Sequence, residues 1–94
     1  MTLESLRMTI DAERALLLPL HQKVTSPFLK QQCEFALNTL EDLEHFYFGG
    51  GFSDPAALVL QSSTFVKVVT DQRRAVEEAV SNFGYNAIAA PHDL

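Results

Sequence analysis

Leu29, Cys33, Ala36, Leu40, Leu43 and Tyr47 recur at spacings of four, three, four, three and four without a miss. That is the repeat of one face of an α-helix. Ser26-Pro27 stands at its start, a serine able to cap free amides followed by a proline whose φ already suits a first helical turn. Gly49-Gly50-Gly51 stands at its end, where glycine accepts the left-handed conformation of a C-terminal cap. Glu34, Asn38, Glu41 and His45 fall on the other side. The segment is therefore predicted to be an amphipathic helix with one face in a core.

The same period occurs on both sides of it. Leu3, Leu6, Ile10, Leu17, Leu20 and Val24 hold helical spacing if Glu13 takes the one polar position in the seam, and Glu4, Arg7, Asp11 and Arg14 alternate in sign opposite. Pro19 lacks an amide donor and crowds the turn before it, so a bend or break is expected there. Ser53-Asp54-Pro55 is a second start signal. After it Leu58, Ser62, Phe65, Val69, Gln72, Val76, Ala79 and Phe83 run at helical spacing to Gly84. Residues Thr64 to Thr70 are β-branched and would also suit a strand, but the longer period favours a helix, with Ser62-Ser63 a second place for a break. The expected fold is all-α: a small bundle of three main helices, homodimeric, with one helical domain over 1–85 and a C-terminal tail over 86–94 that frays or waits for a partner.

Composition narrows the function. The chain has 94 residues, 47% hydrophobic and 20% charged, which fits one ordinary folded domain. Seven Lys and Arg against twelve Asp and Glu give a net charge of -5, and the basic residues do not cluster beyond Arg73-Arg74, so nucleic acid is not an expected partner. Glu77 and Glu78 lie one turn on and can neutralise both arginines. The longest apolar run, Ala15 to Leu20, is far below the roughly 20 residues of a membrane span. Acidic Glu4 and Asp11 do not suit a signal peptide, and Cys33 is the sole cysteine. A cytoplasmic location is the expectation.

Candidate chemistry is sparse. Asp42-Leu43-Glu44-His45, with Glu41 before it, places carboxylates and an imidazole at metal-site spacing, yet the stripe count turns Glu41 and His45 outward. Cys33 sits in the apolar stripe and packs as a small hydrophobe. His21, His45 and His92 have no evident group to orient them as bases. Gly49 to Phe52 follows a helix rather than a strand and lacks the Lys and Ser/Thr of a nucleotide loop. No cofactor and no catalytic residue is expected.

Aromatic residues are the surplus. Of seven Phe and two Tyr, Phe28 and Phe35 lie off the main stripe of the second helix by the same angle, and Phe46, Phe48 and Phe52 crowd its far end. A wide apolar arc must be covered on more than one side. These five phenylalanines are the expected partner-binding residues, and Glu13, Ser62 and Gln72 are polar positions that either fix register or mark stripe edges. The expected function is non-enzymatic protein–protein interaction. An inhibitor or anti-activator that occludes a partner such as a transcriptional regulator comes first, and an adaptor or dedicated chaperone is the further class of the same kind. The competing class is a metal-binding or enzymatic dimer using Asp42 and His45.

Overall fold

The computed structural model describes residues 2–47 and 54–86. They form α1 (Leu3–Lys23), α2 (Pro27–Tyr47) and α3 (Pro55–Phe83), with no strand among the described residues. The three helices pack on one another as an all-α bundle. Residues 48–53 and 87–94 lie outside the described residues, and with them Phe48, Phe52, the glycine triplet and most of the expected tail.

Helix boundaries follow the caps. Thr2 caps α1: its Oγ1 accepts from the Ser5 amide at 3.1 Å, and its own amide donates back to Ser5 Oγ at 2.9 Å. Ser26 is buried and its Oγ accepts from the Leu29 amide at 3.5 Å. Asp54 caps α3 through Oδ1, which accepts from the Ala56 amide at 3.1 Å. At the far end of α3, Gly84 takes φ 86 and its amide donates to the Val80 carbonyl at 2.8 Å.

Neither expected break occurs. Pro19 lies inside α1, which continues for another turn to Lys23. Proline removes the bond that would reach the Ala15 carbonyl, but Ala15 and Pro19 are both exposed, so water can take the place of the missing donor. Ser62 and Ser63 are passed just as smoothly, and the β-branched run Thr64 to Thr70 is helical. Burial of Val66 and Val69 against α1 and α2 outweighs the small loss of helix propensity.

The bundle measures 44 × 21 × 17 Å, its length that of the 29-residue α3 at about 1.5 Å per residue. Two apolar layers fill it. One joins Leu6, Ile10 and Leu17 of α1 to Ala36, Leu40 and Leu43 of α2 and to Val66 and Val69 of α3. The other gathers Val24, Leu29, Cys33, Val76 and Ala79, with Leu20, Phe28 and Val80 packed on it. The loop between α1 and α2 is tied to the end of α3, because the Tyr85 carbonyl accepts from the amides of Thr25 at 2.9 Å and Ser26 at 3.3 Å. Helix order is thus up, down, up.

Two expectations about packing need correction. Phe65 and Phe83 were assigned to the core stripe of α3, but both are about half exposed, and Val66 occupies the buried position. Arg14 was placed on a solvated face, whereas it is part-buried and its Nη2 donates to Glu44 Oε1 of α2 at 2.6 Å.

Candidate functional site

Two pairs of contacts define which flank of each helix faces which neighbour. On α2, Glu34 meets His21 at 3.1 Å and Glu44 meets Arg14, so that side faces α1. The opposite flank carries Phe28, Gln32, Phe35 and Thr39 at helical spacing and therefore borders α3. On α3, Thr70 and Arg73 reach Glu13 of α1. Its other flank, carrying Phe65, Val68 and Gln72, borders α2. The seam between α2 and α3 away from α1 is thus lined by large apolar groups of both helices.

Exposure separates those groups. Phe35 is 59% exposed, Phe65 46% and Val68 45%, and Leu60, on the outer side of α3, is 72% exposed. Phe28 is different: it is half-buried and packs on the layer of Val24, Leu29, Cys33, Val76 and Ala79. The two rings share a line on α2, but only Phe35 is left largely to water. Phe46 stands in the last turn of α2 on the same flank, its side chain outside the described residues, as are Phe48 and Phe52 altogether. Sequence reasoning missed Phe65 and Val68. From Ser62, steps of three and of four both satisfy a helical period, and only the position of the neighbouring helices decides that Val66 points in and Phe65 toward the seam.

The polar stripe residues have distinct fates. Glu13 is buried, and Arg73 grips it with Nε at 2.5 Å from Oε2 and Nη2 at 3.2 Å from Oε1, while Thr70 Oγ1 donates to Oε1 at 2.8 Å. Arg73 also pairs with Glu77, as the spacing predicted. Burial alone pushes the Glu13 carboxyl up, but the hydrogen bonds from Arg73 and Thr70 and the arginine charges hold it below its ordinary value. Among the described residues, Ser62 Oγ and Gln72 Oε1 are buried without a hydrogen-bond partner. Cys33 is buried, and desolvation pushes its thiol up to about 11, so it is a poor nucleophile near neutrality.

At the C-terminal end of α2, Glu41, Asp42, Glu44 and His45 line a depression of about 730 Å³. Glu44 is engaged by Arg14, and among the described residues no group of three or more His, Cys, Asp or Glu is placed to hold a metal ion. Asp42 and His45 are both exposed. No described helix is long and apolar enough to cross a membrane. No family model matches the chain, and comparisons with curated proteins and with solved structures find no match either.

Proposed function

We propose that this protein is a non-enzymatic protein–protein interaction module whose contact surface is the aromatic seam of α2 and α3. The observation that carries the reading is the exposure of Phe35 beside Phe65 and Val68. Three large apolar groups on adjoining flanks form the kind of patch that a monomer seldom leaves in water, and buried aromatic anchors dominate binding energy when such a patch is covered. Phe28 supports the patch from beneath, since its ring is already packed. Among interaction roles we place a cytoplasmic inhibitor or anti-activator first: occlusion of a partner such as a transcriptional regulator needs a surface and no reactive group.

The experiment is affinity capture from the native cell with the wild type and Phe35→Ala, followed by reconstitution of each captured protein in purified form. The expected result is a stoichiometric partner whose affinity falls at least tenfold in Phe35→Ala, while circular dichroism shows the helix content retained. An unfolded Phe35→Ala, or a purified partner bound equally well by it, would overturn the assignment of the surface.

A further inference from the structure

We infer that the outward face of α1 is covered by a second copy of this chain, in an antiparallel contact whose two-fold axis passes at the level midway between Glu13 and Arg14. In α1 the buried Leu6, Ile10, Glu13 and Leu17 face the bundle. Glu13 is turned to α3, and Arg14 and His21 are turned to α2. The face that remains looks away from both helices and from the α2–α3 seam. It carries two rows at spacings of four, Glu4-Met8-Ala12 and Ala15-Pro19-Lys23, and all six residues are exposed. Met8 is 66% exposed, and Leu16 and Leu18, at the two margins of the face, are about half exposed. An apolar face of this extent marks a contact surface.

The order of the residues names the occupant. In a two-fold antiparallel contact each residue meets the one that lies equally far beyond the axis on the other copy. Ala12 and Ala15 are one and a half residues from that level, Met8 and Pro19 five and a half, and Glu4 and Lys23 nine and a half. One row read forwards therefore meets the other read backwards: alanine on alanine, Met8 on Pro19, Glu4 on Lys23. Rows of this i, i+4 kind packed into each other are the commonest helix contact and cross at about −50°. The crossing falls on the alanines, whose small side chains allow the short end of the usual interaxial range, about 8 Å. The same angle carries Glu4 of each copy toward Lys23 of the other, at both ends alike. Among the described residues neither makes an ion pair within its own chain, and no other charge lies on either row. Asp11, at the margin, is already engaged by Arg14 at 3.4 Å. The contact is thus apolar in the middle and complementary in charge at its ends. A dimer built on α1 leaves both α2–α3 seams uncovered, so the assembly presents two Phe35 patches.

Sedimentation equilibrium of the purified full-length chain should find a dimer. Carbodiimide, a zero-length cross-linker, should then join Glu4 to Lys23. Within one α1 these residues are about 28 Å apart by helix rise, so that link forms only between chains. Ala15→Glu sets two acidic groups at the crossing from an exposed position. It should weaken dimerisation at least tenfold with unchanged circular dichroism. Glu4→Lys and Lys23→Glu should each weaken it several-fold, because like charges then meet at both ends, and the double variant Glu4→Lys/Lys23→Glu should recover it. Phe35→Ala should dimerise as the wild type does. A monomeric wild type at high micromolar concentration overturns the inference, as does an Ala15→Glu that dimerises undiminished. So does a double variant no better than the single ones, or a dimer lost in Phe35→Ala. Partner capture through the seam is read separately, since Ala15→Glu should leave it unchanged.

Discussion

Glu13 is the residue on which the joint between α1 and α3 turns. Its carboxylate takes three hydrogen bonds from groups on α3 while itself buried. Removing one member of a buried pair leaves the other without compensation, at a cost of about 3–5 kcal/mol. Arg73 would keep Glu77, so Glu13→Ala is expected near the lower end of that range in urea denaturation. Replacing Glu13 and Arg73 together by methionine should recover most of the loss. Because the folded pKa of Glu13 lies below the unfolded one, the unfolded chain takes up a proton that the folded chain refuses. The stabilisation is therefore complete above the ordinary carboxylate pKa of about 4.3 and is lost as pH falls through the lower folded value. Denaturation curves from pH 7 downward should show a shallower acid limb in Glu13→Gln than in the wild type. Ser62 presents the opposite case. Its buried hydroxyl has no partner among the described residues, so Ser62→Ala should stabilise by about 1 kcal/mol, since a desolvated unpaired group costs about 1–3 kcal/mol. A lower melting temperature for Ser62→Ala would mean that the hydroxyl is satisfied after all.

At the scale of elements, the stripe of α2 was legible from Leu29 to Leu43: Leu29, Cys33, Ala36, Leu40 and Leu43 are all buried, the side chain of Tyr47 lies outside the described residues, and their start signal lies where the helix begins. The start of α3 at Asp54-Pro55 was legible too, because capping is local chemistry within three residues. Which flank of each stripe faces water was not. Glu13 was visible as a polar intruder and Arg73 as a partner for Glu77, but their meeting spans 60 residues and depends on how α1 and α3 are set against each other. Phe65 was misplaced for the same reason. The end of α3 offers a cleaner test. Gly84 has φ 86 and ψ 177, a region essentially reserved for glycine, while a Cβ there would meet only Asn86 Oδ1 at an ordinary 3.5 Å. Gly84→Ala should thus cost about 1–3 kcal/mol from backbone strain alone, read as a fall in denaturation midpoint with unchanged slope.

For the whole molecule, the bundle is 17 Å across its thinnest direction, about one and a half times the width of a single helix with its side chains. A core so thin has little redundancy, and Leu40→Ala, in the layer shared by all three helices, should cost about 2–5 kcal/mol. Phe35→Ala removes a larger side chain yet should cost the isolated fold far less, so melting the two variants side by side separates core from surface. Cys33 reports the same cooperativity without a mutation. A buried thiol pushed up to about 11 should react with iodoacetamide only as fast as the bundle opens, and its alkylation should track urea unfolding.

The tie between Tyr85 and the α1–α2 loop fixes one further property. It seats Tyr85 at the end of the rod opposite Thr2, so that tension applied between these two residues acts along the molecule's 44 Å length. Helices loaded that way must slide past one another together instead of unzipping turn by turn.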